Sequence, residues 1–374
     1  MKMTCRLFFV LSSFFYLTSG TTRVCYYGAW SAKNHLRPEN IDTGLCTHII
    51  FAYAKLDANY TNIIPENTFQ GQQMDAFTRL KRSNPHLKTL ISIGGWVMGS
   101  LPFMALVANE ETMRVFAANT VTYLRAHNFD GIDIDWEFPN ERGSEIEDKA
   151  NFIKLLEILH NAFVNEPNLG NKDRLLLTAP VAPTEERITN SYDIPGLIKY
   201  LDWIGLITYD YHGEWENNVN VHNALYSDKD ASVDRSVKYW LSQGVPNDKL
   251  LVGIPVYGRK FLLLDPTNNT IGASSKGGGD IPYYEICKMI HSHTIAPVTL
   301  QTEKVPYFFY QNQWITYEDT KSISEKATYI RTQGLAGAMV FSLDNDDYMG
   351  ACGIGTFPLM KALKKGLLQE VVVG

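Results

Sequence analysis

The sequence predicts an α/β fold, a (β/α)8 TIM barrel. Eight short apolar segments recur along the chain, stretches of helical period separate them, and the segments are apolar enough to be covered on both faces, as strands of a parallel sheet are. The predicted strands are Val24–Trp30, Thr47–Ala54, Thr89–Ile93, Gly131–Trp136, Leu175–Val181, Trp203–Tyr209, Leu251–Tyr257 and Ala338–Leu343. In such a barrel the active site lies at the carboxyl ends of the strands.

Two of the intervening stretches show the helical period most clearly. Apolar residues recur at intervals of three and four from Met113 to Leu124 and from Phe152 to Phe163. An apolar stripe of this kind normally packs against a core. We therefore interpret both stretches as helices that cover the barrel.

The connection between the seventh and eighth predicted strands is too long for one helix. It runs from residue 258 to residue 337, whereas a single crossover helix with its loops needs about 20–30 residues. It contains strand-like segments of its own, Val305–Tyr310 and Trp314–Tyr317. We expect a small inserted lobe at about residues 258–315, after the seventh strand.

The first twenty residues have the pattern of a secretory signal peptide. Lys2 and Arg6 give a positive start, Leu7 to Leu17 are largely apolar, and residues 18–20 are small. The apolar run is too short to anchor the chain in a bilayer. We expect residues 1–20 to be removed and residues 21–374 to form a secreted, extracellular protein.

The net charge makes some partners poor candidates. The chain carries −6 at pH 7, and loss of Lys2 and Arg6 gives −6 − 2 = −8. An acidic protein is poorly suited to nucleic acid or to anionic membranes, whereas a neutral substrate is compatible with it. We expect a monomer with neither a nucleic acid nor a membrane as partner.

The cysteines agree with a secreted chain. Of the five, Cys5 lies in the signal segment, which leaves Cys25, Cys46, Cys287 and Cys352. An even number predicts two disulfides, and four cysteines allow three pairings. Their spacing is too wide to indicate a zinc site.

Two sequons also suit a secreted chain. They are Asn59-Tyr60-Thr61 and Asn268-Asn269-Thr270. Both asparagines are candidates for glycosylation.

The segment from Phe129 to Pro139 carries the chemistry. Because side chains of a strand alternate between its faces, Asp133, Asp135 and Glu137 share one face, and neighbours lie roughly 7 Å apart. Like charges inside a barrel must raise the pKa of at least one carboxyl, and such a carboxyl suits a general acid near neutral pH. Glu137 is nearest the carboxyl end of the strand and is the candidate acid.

Two alternatives to a catalytic role apply to this strand. It could be a solvated edge strand, but its other face is the apolar set Ile132, Ile134 and Trp136, and no Lys or Arg lies beside the acids. The carboxylates could hold calcium or magnesium, but a single strand cannot wrap a cation. We expect neither a metal nor a cofactor.

Asp130, Asp133, Asp135 and Glu137 fill the pattern D-x-x-D-x-D-x-E, which resembles the signature of glycoside hydrolase family 18. The resemblance covers nearly the whole mature chain. Further matching segments are Ser92-Ile93-Gly94-Gly95-Trp96, Tyr209-Asp210 with His212-Gly213 and Trp215, Gly253-Ile254-Pro255-Val256-Tyr257-Gly258, and Asp346-Asp347-Tyr348 with Cys352-Gly353. The motifs look like those of animal chitinases.

The resemblance implies a fold detail, a substrate and a cysteine pairing. The fold is a (β/α)8 barrel with an α+β insertion after the seventh strand. The substrates are β-1,4-linked N-acetylglucosamine polymers, above all chitin. The pairing is Cys25 with Cys46 and Cys287 with Cys352.

The resemblance also implies a substrate-assisted mechanism. Glu137 protonates the glycosidic oxygen, and the substrate's 2-acetamido oxygen attacks the anomeric carbon to form an oxazolinium ion. Asp135 orients the acetamido group, and Asp133 modulates Asp135. Tyr209 and Asp210 bind the N-acetyl group. No separate carboxylate nucleophile is needed, unlike the usual two-carboxylate scheme.

Sugar contacts are implied at or just past the strand ends. Aromatic faces there would pack on pyranose rings, and the alternative for each is plain barrel packing. The implied contacts are Tyr26, Trp30, Tyr53, Gly95, Trp96, Trp215, Tyr257, Met339 and Phe341.

The sequence departs from the family pattern at four places. Phe341 stands where a Trp usually forms the floor under the sugar, and Ile207 replaces a Met. Lys260 replaces a small hydroxyl residue, and Lys276 precedes glycines where a Glu is frequent. These changes concern sugar binding, not the acid series.

Three functions remain open at this point. The first is an active chitinase. The second is a chitin-binding lectin on the same scaffold, a class that typically lacks the acid that Glu137 supplies. The third is a growth-factor-like or immune-acting relative with residual activity.

Overall fold

The structure, a computed structural model, describes residues 21–33, 36–167, 170 and 172–369. The expected signal peptide at residues 1–20 lies outside this part of the chain.

The strands are β1 (Thr22–Gly28), β2 (His48–Leu56), β3 (Ile63–Ile64), β4 (Lys88–Gly94), β5 (Gly131–Asp135), β6 (Leu176–Val181), β7 (Trp203–Leu206), β8 (Leu250–Pro255), β9 (Tyr257–Leu263), β10 (Ser275–Pro282), β11 (Val298–Thr299), β12 (Pro306–Tyr310), β13 (Gln313–Thr316) and β14 (Gly337–Phe341). The α-helices are α1 (Thr68–Thr78), α2 (Leu101–Val107), α3 (Glu110–Ala126), α4 (Asp148–Val164), α5 (Glu185–Ser191), α6 (Ile194–Tyr200), α7 (Val233–Ser242), α8 (Tyr283–His293), α9 (Thr320–Thr332) and α10 (Pro358–Leu368).

Eight parallel strands close into a barrel. Their order is β1-β14-β8-β7-β6-β5-β4-β2, and pairing of β1 with β2 closes the ring. Each of these strands overlaps one of the eight predicted from sequence, so the TIM barrel is confirmed, although β7 ends three residues early and Tyr257 begins β9 instead of ending β8. The register sets Asp133 of β5 opposite Ser92 of β4 and Thr178 of β6.

Helices cover the outside of the barrel, as their apolar stripes predict. In α3 the stripe from Met113 to Leu124 is buried, and in α4 the stripe from Phe152 to Phe163 is buried. The side chain of Asn109 caps α3 by accepting a hydrogen bond from the Thr112 N–H at 2.9 Å, which satisfies one free donor of the first turn. Among the described residues no helix is both long and apolar enough to cross a membrane.

A second sheet lies between β8 and β14 in the chain. It has five antiparallel strands in the order β10-β9-β13-β12-β11, and α8 connects β10 to β11. Its own apolar cluster includes Phe261, Val305 and Trp314. We propose that this sheet and helix form the inserted lobe, with the boundaries given above.

Two disulfides join distant segments. Cys25 of β1 bonds to Cys46 just before β2, with the Cα atoms 6.2 Å apart. Cys287 of α8 bonds to Cys352 in the loop after β14, with the Cα atoms 5.6 Å apart. This is the pairing that the family resemblance implied, and the second bridge ties the second sheet's helix to the end of the barrel.

Candidate active site

A long groove crosses the carboxyl ends of the barrel strands. Its volume is about 1640 Å³, and residues that follow most of the barrel strands line it. Asp280 of β10 also lines it, so the second sheet forms part of one wall. The predicted site residues in its lining are Trp30, Tyr53, Trp96, Asp135, Glu137, Tyr209, Asp210, Trp215, Tyr257 and Phe341.

Asp133 lies beneath this groove, fully buried inside the barrel. Its Oδ2 accepts hydrogen bonds from the Tyr26 hydroxyl at 2.7 Å and the Ser92 hydroxyl at 2.8 Å, and its Oδ1 accepts one from Thr178 at 2.7 Å. Burial raises the pKa of Asp133, and the three hydrogen bonds partly oppose that rise. The strand register explains two of the three donors, since Ser92 and Thr178 flank Asp133 on the neighbouring strands.

Asp135 is the middle carboxyl of the series. It is buried, and its Oδ2 accepts a hydrogen bond from the Tyr53 hydroxyl at 2.8 Å. Its Oδ1 has no hydrogen-bond partner among the described residues. Burial raises the pKa of Asp135 well above the ordinary value, and the charges of Glu137 and Asp133 raise it further. Asp135 therefore keeps its proton to a higher pH than an ordinary aspartic acid does.

Glu137 follows directly on the end of β5 and lines the groove. Burial raises the pKa of its carboxyl to about 7, with a further contribution from the charge of Asp210. Arg142, Arg187 and the backbone N–H of Trp96 act in the opposite direction. A carboxyl with this pKa is protonated in half of the molecules at neutral pH and can both donate and accept a proton.

Asp210 follows β7, lines the same groove and is fixed as an anion. Arg259 donates from Nε to Oδ1 at 2.8 Å and from Nη2 to Oδ2 at 2.6 Å, and His222 lies 3.2 Å from Oδ1 through Nδ1. Burial alone would raise the pKa of Asp210, but the bonds from His222 and Arg259 outweigh it and hold the pKa well below the usual range. Burial lowers the pKa of His222 to about 4, so this imidazole is neutral near pH 7.

Aromatic rings form the floor of the groove around Phe341. Its ring centroid lies 5.6 Å from that of Tyr26, 6.2 Å from Tyr209, 6.3 Å from Trp30 and 6.5 Å from Tyr257. The Tyr209 ring is stacked on Phe341, whereas Tyr257 meets it edge-on. Phe341 therefore packs against four aromatic rings, of which Trp30, Tyr209 and Tyr257 also line the groove with Asp135 and Glu137.

Three indole rings stand at the sides of the groove. Trp30 is 55% exposed, Trp96 is 54% exposed and Trp215 is 57% exposed, so each offers a ring face to solvent. Large apolar groups are rarely left this exposed without a partner, and their position along one groove suits a chain of flat apolar faces.

Three residues expected to contact sugar lie behind the groove lining. Tyr26 and Met339 are almost fully buried in the barrel interior, where Tyr26 supports Asp133 and Met339 packs against Gly205. Gly95 is also buried, with φ +77, and a Cβ there would come within 2.6 Å of the Tyr53 ring. These positions support the site from below, because neighbouring side chains separate them from the groove.

Several residues around the carboxyls were not expected from sequence. Arg142 and Arg187 lie near Glu137, His222 and Arg259 contact Asp210, and Asp280 forms an ion pair with Arg259. Arg259 adjoins the motif that ends at Gly258, and Asp280 follows the glycines after Lys276, whereas the other three residues carried no local signal. They reach the site because α5, strands β9 and β10 of the second sheet, and the loops after β5 and β7 meet at one end of the barrel.

One group of potential metal ligands occurs in the described part of the chain. It consists of Cys287, Asp347 and Cys352, and the two sulfurs are bonded to each other. A disulfide sulfur is not the thiolate that metals bind. This group also lies outside the groove lining.

Comparison with known proteins agrees with this geometry. A family model described as glycosyl hydrolases family 18 matches residues 22–346. Mouse chitotriosidase-1 is 36% identical over 372 residues, which covers 93% of this chain and 78% of that protein.

Two solved structures extend the comparison. The Ostrinia furnacalis group IV chitinase in complex with allosamidin is 33% identical with a TM-score of 0.87, covering 93% of this chain and 98% of that one. Human YKL-39, titled a pseudo-chitinase with retained chitooligosaccharide binding properties, is 34% identical with a TM-score of 0.86, covering 93% and 99%. With these matches over most of its length, the chain belongs to glycosyl hydrolases family 18.

Proposed function

We propose that this protein is a secreted chitinase that hydrolyses β-1,4-linked N-acetylglucosamine polymers or oligomers with retention of configuration. Glu137 is the acid and base, and the substrate's own acetamido group is the nucleophile. The observation that carries this proposal is the Glu137 carboxyl, which has a pKa of about 7 and stands beside the buried Asp135 in a long aromatic groove.

In the first step Glu137 gives its proton to the glycosidic oxygen. The bond from the anomeric carbon to that oxygen breaks, and the acetamido oxygen bonds to the same carbon to give an oxazolinium ion. In the second step the Glu137 carboxylate takes a proton from water. The water oxygen bonds to the anomeric carbon, and the bond from that carbon to the acetamido oxygen breaks, which opens the oxazolinium ring. The residue ends protonated, as it began, so one group serves as acid and then base.

Asp135 is suited to hold the acetamido group. Its Oδ2 is fixed by Tyr53, while its Oδ1 has no partner among the described residues and is free to accept the acetamido N–H. A carboxylate there also stabilises the positive charge of the oxazolinium ion. Asp133 is held by three hydroxyl groups and modulates Asp135 through its charge.

The remaining groove suits a neutral sugar chain. Its exposed indoles and the floor around Phe341 supply apolar faces for pyranose rings. Tyr209 and Asp210 also line the groove and are our candidates for polar contacts with the N-acetyl group. Two relatives support this substrate class, since one carries allosamidin and another is described as retaining chitooligosaccharide binding.

A lectin-like protein with weak or no activity is the second candidate. YKL-39 is described as a pseudo-chitinase, and Phe341 reduces the floor on which the sugar would rest. Retention of all four acids from Asp130 to Glu137 favours the enzyme.

We propose an extracellular location and a monomeric state. The two disulfides suit an oxidising compartment. The sequon residues Asn59 and Asn268 are exposed, as glycosylation requires.

Matched aryl glycosides test the mechanism. We expect release of the aryl group from p-nitrophenyl chitobioside and none from p-nitrophenyl cellobioside, which differs in lacking the acetamido groups. Comparable cleavage of both would exclude the substrate-assisted mechanism. Cleavage of neither, with chitotriose still bound in a calorimetric titration, would favour the lectin-like candidate.

A further inference from the structure

Arg142 contacts the Trp96 indole in the groove. Its Cζ lies 3.9 Å from the centre of that ring, close enough for a cation–π contact over one face. The Trp96 ring is nevertheless 54% exposed. One face is therefore covered by the guanidinium, and the rest of the ring remains accessible to a ligand.

The same guanidinium contacts the backbone of the two loops that follow β4 and β5. Nη1 donates to the carbonyl oxygen of Trp96 at 2.6 Å and lies 3.4 Å from the carbonyl oxygen of Glu137. These two residues follow different strands, β4 and β5. Arg142 thus connects the loop that carries the Trp96 indole to the loop that carries Glu137.

The backbone at Arg142 keeps it in this position. Arg142 has φ +57 and Gly143 has φ +88, two consecutive left-handed residues that turn the chain sharply. The Ser100 hydroxyl donates to the carbonyl oxygen of the preceding Glu141 at 2.9 Å. The turn therefore has its own support from the loop after β4.

We propose that Arg142 is a positioning residue that holds the Trp96 indole as a fixed platform for one ring of a chito-oligosaccharide and fixes the loop that carries Glu137. This rests on the proposed function for the identity of the ligand. A platform whose orientation is set before binding loses less side-chain freedom when the sugar arrives. The positive charge of Arg142 also favours the ionised form of Glu137.

The test separates the shape of Arg142 from its charge. Arg142→Met removes both the planar guanidinium group and its positive charge, whereas Arg142→Lys keeps the charge without the planar group. In the Glu137→Gln background, calorimetric titration with chitohexaose should show about two- to fivefold weaker binding for Arg142→Met, a change of the size of one cation–π contact, and a smaller loss for Arg142→Lys, whose ammonium can still lie over the ring. Arg114→Met, an exposed change on the outer face of α3, is the matched control and should bind as the background does.

A pH profile gives the second readout, in variants that retain Glu137. Arg142→Met should move the alkaline limb of kcat/KM to higher pH, because loss of the positive charge raises the pKa of Glu137. Arg142→Lys should leave that limb in place. A merely structural defect would not separate the two variants in this way.

Unchanged affinity for chitohexaose in both Arg142 variants would overturn the proposal, and so would an equal loss in Arg114→Met. The titration does not depend on turnover. A wild type that hydrolyses nothing would therefore refute the proposed function and still leave the role of Arg142 to be decided by binding.

Discussion

Glu137 owes its properties to two opposing sets of neighbours. Burial and the charge of Asp210 raise its pKa, whereas Arg142, Arg187 and the Trp96 N–H lower it, and the balance is a pKa of about 7. An ordinary glutamic acid in water has a pKa of about 4.3 and would be almost wholly ionised at neutral pH. The site therefore keeps a proton available where an unperturbed carboxyl would not.

The pH dependence follows from this balance. A general acid must be protonated in the free enzyme, so kcat/KM should fall as pH rises through about 7, approaching tenfold per pH unit above it. The measurement is kcat/KM on p-nitrophenyl chitobioside between pH 4 and 9. An alkaline limb centred below pH 5 would contradict the raised pKa of Glu137.

Phe341 is the residue at which this chain departs most from the family pattern. It lies at the centre of the aromatic floor, with four rings within 6.5 Å. Compared with an indole it offers less area and no N–H donor. The lost area, some tens of Å², corresponds to roughly 1 kcal/mol at about 25 cal/mol per Å².

Phe341→Trp should therefore tighten sugar binding several-fold. The measurement is a calorimetric titration with chitotriose in the Glu137→Gln background, with Glu137→Gln alone as the control. Unchanged or weaker binding would show that the neighbouring rings already fill the space, since overpacking costs about 1–3 kcal/mol.

At the scale of the elements, the barrel register and the disulfides hold the site together. The register sets two hydroxyl donors beside Asp133, and the bridge from Cys287 to Cys352 ties α8 to the end of β14. The bridge from Cys25 to Cys46 acts more locally, between β1 and β2.

Removal of either disulfide should lower stability by about 2–4 kcal/mol. The Cys287–Cys352 disulfide closes the longer loop, 65 residues against 21 for Cys25–Cys46. Its removal in Cys287→Ser/Cys352→Ser should therefore lower the free energy of unfolding by about 1 kcal/mol more than Cys25→Ser/Cys46→Ser does. Urea unfolding of the two double variants beside the wild type measures this. Unfolding midpoints equal to that of the wild type in both would contradict the expectation.

The elements also show what a sequence can predict. Apolar runs and helical stripes predict the eight strands and the covering helices, because burial on one or both faces leaves a regular pattern. The alternation within β5 likewise brings Asp133, Asp135 and Glu137 to one face. These features depend on local order along the chain.

The sequence does not predict in the same way which side chains face the groove, because that depends on how distant segments of the chain meet in the folded protein. Tyr26 and Trp30 both lie near the end of β1, yet one supports Asp133 from inside the barrel and the other is exposed at the groove. Arg142, in the loop after β5, and Arg187, in α5, both lie near Glu137 and belong to no motif. Only the folded path of the loops decides which side chain faces the groove.

At the scale of the whole molecule, the groove combines a binding surface with a catalytic centre. Exposed indoles, an aromatic floor and a wall from the second sheet suit a long sugar chain, and Asp135 and Glu137 line the same groove. A lectin needs the surface alone. The proposed function therefore depends on whether Glu137 acts as a catalytic acid.

Glu137→Gln tests this most directly, because the amide keeps the shape of the side chain and removes the proton. We expect turnover of chitotriose to fall by at least about 10²–10⁴-fold, the contribution of a general acid, while calorimetric titration shows binding close to that of the wild type. Hydrolysis of chitotriose by Glu137→Gln at the wild-type rate would contradict the assignment of Glu137 as the catalytic acid.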